Sequence, residues 1–181
     1  MRHPGRITVD EFMRRPENAR EELIDGEIIV TWPTLFHAVV STRLTMALYA
    51  HVEARQLGLV LGQGVGVFLT EFDAFGPDAL FLSNDRMSRK AREGIRGAPD
   101  LVTEVLSPST RKHDLGHKRK TYAEQGVAEY WVIDLDARSV LVYRFGERAD
   151  DPVRTLRVDD LLTTDLLPGF SLSLRTLFRE P

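Results

Sequence analysis

The stretch from Ala98 to Asp136 constrains this chain most, because it reads without interruption as strand, turn, helix and strand. Asp100 to Ser107 is a β-branched, mostly apolar run of strand length. Ser107-Pro108-Ser109 stops it, since the residue before a proline is held out of the helical region. Ser109 and Thr110 are good helix N-caps, the residues to Gln125 suit a helix, and Gly126 supplies the left-handed residue that closes one. Glu129 to Leu135, rich in aromatic and β-branched residues, is the second strand.

The first strand carries an anomaly. Glu104 shares a face with Val102 and Leu106, and a carboxylate there is costly unless it is paired or bound to metal. In the following helix Leu115, Lys118 and Tyr122 are related by steps of three and four, so they share a stripe. If Leu115 and Tyr122 are core residues, Lys118 points inward towards Glu104, while Lys120, about 200° away, faces solvent. A structural ion pair between Glu104 and Lys118 and a metal site are both compatible with this pattern.

With 181 residues and 43% apolar content, residues 1–181 are expected to form a single domain with a proper core. There is no cysteine, which excludes disulfides and thiolate metal sites. The apolar stretches fall short of a membrane span and the N-terminal residues lack an apolar signal region, so the expectation is a cytoplasmic protein without a membrane partner. The net charge of −3 argues against coating nucleic acid by bulk electrostatics. Residues 85–120 nevertheless hold ten Lys or Arg against five acids, leaving −8 for the remainder. Such a segment suits a polyanionic substrate, although a solvated face gives the same composition.

Taken in order, Thr8 to Glu11 reads as a capping box opening a short helix through Arg15. Glu21 to Val30 is a hairpin on Asp25-Gly26, in which Glu22 reads as an exposed strand charge. A helix from about Thr34 to Leu57 has an apolar stripe through Val40, Leu44, Ala47 and His51, with Gly58 placed to close it; His37 near its start reads as a surface or capping residue. Leu59 to Leu61, Val65 to Thr70 and Asp78 to Leu82 read as strands, and Asn84 to Glu93 as a short surface helix. Ser139 to Phe145 and Val153 to Val158 continue a meander, Ser171 to Leu174 is a last short strand, and Arg175 to Arg179 one helical turn.

Of the acids near Glu104, Asp100 is a poor co-ligand: four residues at ~3.3 Å each separate the two Cα atoms by roughly 13 Å, whereas Mg²⁺ ligands sit only ~2.1 Å from the ion. Asp100 is therefore read as a strand-start residue. Asp78 converges with Glu104 if their strands are neighbours. An acid on each of two adjacent strands and an inward lysine make a divalent-metal site for phosphodiester hydrolysis.

Glu22-Leu23-Ile24-Asp25-Gly26, His37, Pro77-Asp78, the run from Ala98 to Thr110, Asp114-Leu115-Gly116, Lys118, Tyr122, Gly126-Val127, Glu129-Tyr130-Trp131 and Leu167-Pro168-Gly169-Phe170 together resemble the Uma-two family of restriction-endonuclease-like proteins, over nearly the whole chain. That family is placed in the PD-(D/E)xK nuclease superfamily. The resemblance implies an α/β fold, a mixed sheet with helices on both sides in αβββαβ order, with an N-terminal hairpin and C-terminal β additions. It implies that Asp78 and Glu104 hold Mg²⁺ (or Mn²⁺). The position two after Glu104 is Leu106, a departure from the simple superfamily pattern, so the lysine role falls to Lys118 on the next helix. By the same resemblance Glu22 joins the site from the hairpin and His37 lines it. The expectation is a Mg²⁺-dependent endonuclease acting on DNA, with a homodimer following from the need to cut two strands. Two other readings stay open: a binding or regulatory module that keeps the fold with an inactive site, and a metal-dependent hydrolase of a smaller phosphate compound.

Overall fold

The structure is a computed structural model that describes residues 5–16, 21–30 and 32–180. In chain order the strands are β1 (Glu21–Ile24), β2 (Glu27–Val30), β3 (Gly58–Gly62), β4 (Gly66–Phe68), β5 (Ala74–Phe75), β6 (Ala79–Ser83), β7 (Lys90–Ala91), β8 (Gly94–Arg96), β9 (Leu101–Val105), β10 (Glu129–Asp134), β11 (Ser139–Arg144), β12 (Arg154–Arg157), β13 (Leu161–Leu162) and β14 (Leu172–Ser173). The helices are α1 (Val9–Met13), α2 (Leu35–Arg55), α3 (Arg111–His113), α4 (Arg119–Gln125) and α5 (Leu174–Leu177), with a π-helical turn, Asp114–Lys118, between α3 and α4.

Six strands form the central sheet in the order β12-β11-β10-β9-β6-β3, where β9 and β10 run parallel and the other neighbours antiparallel. The order α2, β3, β6, β9, α3–α4, β10 is the expected αβββαβ core, and β11 and β12 extend it as the expected meander. Both faces of this sheet are covered, so β9 and β10 are buried along their whole length. One face packs Leu101, Val105, Trp131 and Ile133 against Val40, Leu44, Leu48 and Val52 of α2. The other packs Val102, Tyr130 and Val132 against Tyr122 of α4 and Ile24 and Phe75 from a second sheet.

That second sheet, β2-β1-β5-β4-β8-β7, was not anticipated. The hairpin expectation held: Asp25 and Gly26 both have positive φ, 51° and 78°, as a tight two-residue turn requires. The hairpin does not stand alone, because β1 pairs with β5, and β4 and β8 continue the sheet. Several of these strands are only two or three residues long, too short to show a period. Residues 65–70 accordingly supply β4 rather than a core strand, and Asn84 to Glu93 is a 3₁₀ helix, Asn84–Arg89, followed by β7.

Several boundaries move. The capping box of Thr8 and Glu11 is present, although α1 ends at Met13. The apolar stripe of α2 runs through Leu48 and Val52; His51 is half-buried beside it, with its ring edge-on to Phe170. Gln56, not Gly58, closes α2 in the left-handed conformation. Gly58 instead opens β3 opposite Ser83 with φ 150°, where an added Cβ would lie 2.2 Å from the Leu82 carbonyl oxygen. The close approach of the β3 and β6 backbones leaves no room for a side chain. Gly58→Ala is expected to destabilise the protein by roughly 1–3 kcal/mol, seen as a Tm several degrees lower. An unchanged melting curve would show that β3 moves freely away from β6.

Candidate active site

The antiparallel register of β6 and β9 pairs Ala79 with Thr103 and Leu80 with Val102, so the next pair outward sets Asp78 opposite Glu104. Asp78 precedes β6 by one residue and donates its backbone N–H to the Thr103 carbonyl at 3.1 Å. Its carboxylate accepts from the Val105 N–H at 2.7 Å and from the Gln63 amide. The expected convergence of the two acids on neighbouring strands is thus present, and both line one cleft.

Glu104 Oε1 lies 3.1 Å from Lys118 Nζ and accepts the Tyr122 hydroxyl at 3.1 Å. Lys118 does point inward and is 1% exposed, whereas Lys120 lies in solvent beside Glu124. Two further carboxylates surround the same ammonium. Glu22 approaches Nζ at 2.9 Å and is itself held by the Gly76 N–H at 2.7 Å, so the exposed strand charge read from pattern is a buried one. Its position arises because β1 is covered on one face by the central sheet, which the two-residue period of a short hairpin cannot reveal. Asp114, at the start of the π-turn, lies 3.1 Å from Nζ. Sequence reading missed it as a site residue, although its place four before Lys118 on the inward stripe was a usable signal.

The helix expected over residues 109–125 is broken into α3, the π-turn and α4. The π-turn brings Asp114, Lys118, Thr121 and Tyr122 onto the buried face while Leu115 is only half-buried. Asp100 has the role expected of it: its carboxylate caps the Ser83 N–H at 2.7 Å and meets Arg86 at 3.1 Å, outside the site.

His37 is brought to the site rather than the surface. Thr34 caps α2 by accepting the His37 N–H, and the ring places Nε2 3.4 Å from Asp78. Burial pulls the pKa of His37 down, but the hydrogen bond and charge of Asp78, with Val105 and Asp114, outweigh it and raise the net value. Burial likewise disfavours the Lys118 cation, yet Glu104, Glu22 and Asp114 hold it well above the ordinary lysine range, so it stays charged. Glu104 is pushed well above the usual carboxylate range, first by burial and then by Asp114, Glu22 and Asp78, against the pull of Lys118. Burial and the Glu104 charge keep Tyr122 a neutral phenol.

Glu22, Asp78 and Glu104 therefore line a cleft of about 1030 Å³ with Lys118 and His37, and Asp114 meets Lys118 from behind the cleft wall. Among the described residues, no three His, Asp, Glu or Cys side chains are disposed to cage a metal by themselves. Asp78 and Glu104 are the pair that could hold a hard cation jointly, with its remaining positions left to water or substrate.

The family model described as "Putative restriction endonuclease", Uma2, matches residues 9–175. An uncharacterized protein of Synechocystis sp. is 23% identical over 178 residues, covering 96% of this chain and 92% of that protein. The crystal structure of a putative nuclease of DUF820 from Anabaena variabilis superposes with a TM-score of 0.80 at 23% identity, covering 95% of this chain and 97% of that one. This likeness shows that the two chains share one mixed α/β fold. The family match runs from α1 to the last helix, and the chain belongs to the Uma2 (Uma-two) family.

Proposed function

We propose that the protein is a Mg²⁺-dependent endonuclease that hydrolyses phosphodiester bonds of DNA. The observation that carries this reading is the charge imbalance around Lys118. A structural ion pair needs one acid, whereas Glu22, Glu104 and Asp114 all contact this one permanent cation, and Asp78 adds a fourth carboxylate on the strand beside Glu104. The donors that Asp78 and Glu104 present are all oxygen, the set that suits Mg²⁺ or Mn²⁺, and Mg²⁺ commonly takes only one or two carboxylates beside water and phosphate. A divalent cation on Asp78 and Glu104 would supply Lewis-acid polarisation of a phosphoryl oxygen and a water of lowered pKa.

The chain's own residues account for the remaining roles. Lys118 is a cation already oriented by three carboxylates, so negative charge building on a phosphate beside it is stabilised without reorganisation. Tyr122 donates to the same Glu104 oxygen as Lys118 and fixes that carboxylate. The Val105 N–H and His37 fix Asp78. The family assignment supports nuclease chemistry.

A second reading, an inactive module in which Glu104 and Lys118 are a structural pair, draws on their 3.1 Å contact. The two readings predict different stabilities in chelator. With surplus acids, Glu104→Gln leaves Lys118 paired to Glu22 and Asp114, and its Tm should stay level or rise, while Lys118→Met should cost about 3–5 kcal/mol. A purely structural pair would make both variants fall together. Calorimetric titration of Mg²⁺ or Mn²⁺ with plasmid nicking on the same samples should show binding and cleavage in wild type, and neither in Glu104→Gln.

His37 provides a pH test. In chelator its ring-proton NMR signals should titrate above the ordinary value of about 6.5, and the midpoint should move down in Asp78→Asn, where burial acts against a weaker opponent. The stability contributed by the pair is complete below the unfolded pKa and is lost as pH rises through the higher folded pKa. Mg²⁺ should lower the wild-type midpoint; a midpoint indifferent to metal would separate Asp78 from the metal site.

A further inference from the structure

The acids of the site are recessed, and this restricts what can reach them. Asp78, Glu104 and Glu22 are 6%, 4% and 5% exposed, at the base of a cleft of about 1030 Å³ between the second sheet and the end of the central one. That volume is at the upper end for pockets that enclose a single small ligand. A cation bound to Asp78 and Glu104 contacts a phosphate oxygen at only ~2.1 Å, so the scissile phosphate must enter the cleft. One extended strand can do so, whereas a base-paired duplex holds its backbone against the bulk of the second strand.

The lining of the cleft matches one strand. The second sheet lines it from β1 to β7, roughly 19 Å for four spacings of ~4.8 Å. Beyond β2 stands Trp32, 70% exposed, beside Pro33, and both line the cleft. At the β7 edge Lys90 and Arg92 line it, both exposed. Most of the basic segment is otherwise engaged: Arg86 pairs with Asp100, Arg96 with Glu93, Arg111 with Asp134, Arg119 with Asp150, Lys120 with Glu124, and Arg89 donates to the Ala98 carbonyl, while the exposed Lys112 does not line the cleft. Among the described residues, Lys90 and Arg92 make no salt bridge with an acid, which leaves them available to phosphates. An exposed tryptophan side chain at one end, cations without a salt bridge at the other and a recessed acidic centre are the elements of a single-strand groove, where bases stack on aromatics and cations track the backbone.

We propose that the cleft binds single-stranded DNA, with Trp32 as stacking platform and Lys90 and Arg92 as phosphate contacts. The identity of the cleaved bond rests on the endonuclease reading above, whereas binding does not, so the two are tested apart. Of the two tryptophans, Trp131 is fully buried, so emission quenched by a ligand reports on Trp32.

The experiment titrates a ten-nucleotide single strand, the matching duplex and the matching RNA into the full chain in chelator, following tryptophan emission and the anisotropy of labelled ligand. The single DNA strand should quench emission and bind at least about tenfold tighter than duplex. Trp32→Ala should weaken that binding about 5- to 100-fold, while Trp32→Phe removes the quench and keeps the affinity. Replacing both Lys90 and Arg92 by Ala should reduce the slope of log affinity against log salt by about 1.4. Duplex bound as tightly as single strand, or Trp32→Ala without effect, overturns the proposal. RNA bound with DNA excluded overturns it as well. Emission that shifts with protein concentration alone, together with a dimer in sedimentation, would place a second copy on Trp32 and overturn it. The endonuclease reading fails separately, if strands that bind are never cut with Mg²⁺ or Mn²⁺.

Discussion

The ammonium of Lys118 is the contact on which the arrangement of the two sheets depends. It meets Glu22 on β1, Glu104 on β9 and Asp114 in the π-turn, so one buried cation joins the second sheet, the central sheet and the helical segment between β9 and β10. A buried charge is tolerated only with its partners in place, which makes these elements mutually dependent rather than independently stable. Phe75 closes the space around the cation, 5.7 Å from Nζ to the ring centre, and stacks edge-on to Tyr122. The apolar packing of Ile24, Phe75, Tyr122 and Tyr130 therefore surrounds a polar centre. Hydrophobic burial supplies the driving force, and Lys118 specifies which face of β1 turns towards the core.

What could be read from the sequence follows how local each feature is. Alternation along a single strand places Glu104 on the face of Val102 and Leu106, and steps of three and four turn Lys118 inward; both survive because they need only the geometry of one element. The neighbouring of Asp78 and Glu104 needs a strand pairing, which was conditional until the register of β6 and β9 was seen. Glu22 defeats pattern reading because its burial is created by a sheet that comes together from residues 21–96, in strands too short to carry a period. Its place came through resemblance, not through periodicity. The stripe of α2 was off by part of a turn at its far end, where Leu48 and Val52 take the buried positions in place of Ala47 and His51.

The basic segment shows how composition misleads without partners. Its surplus of cations suggested a broad polyanion surface, yet Arg86 bridges Asp100 and the carbonyls of Ala98, Pro99 and Gly126, and Arg111 holds Asp134. These side chains support the turns that lead into β9 and out of β10. The cations of the segment that remain and line the cleft are placed by topology, at the edge strand β7 and its turn.

The same burial that keeps Lys118 charged also restricts the chemistry that can be done beside it. Burial first, and then repulsion from Asp114, Glu22 and Asp78, pushes Glu104 well above the usual carboxylate range, against the pull of Lys118. The divalent cation proposed for this site would offset that repulsion, and its affinity would be linked to the ionisation of Glu104, rising with pH. On the proposed reading, phosphates held by Lys90 and Arg92 would lie at the rim, clear of the recessed acids, whereas the phosphate to be cut would have to reach Lys118 and the metal, whose charge would offset that of the carboxylates. Strand binding would therefore need no metal, while descent of one phosphate to the acids would.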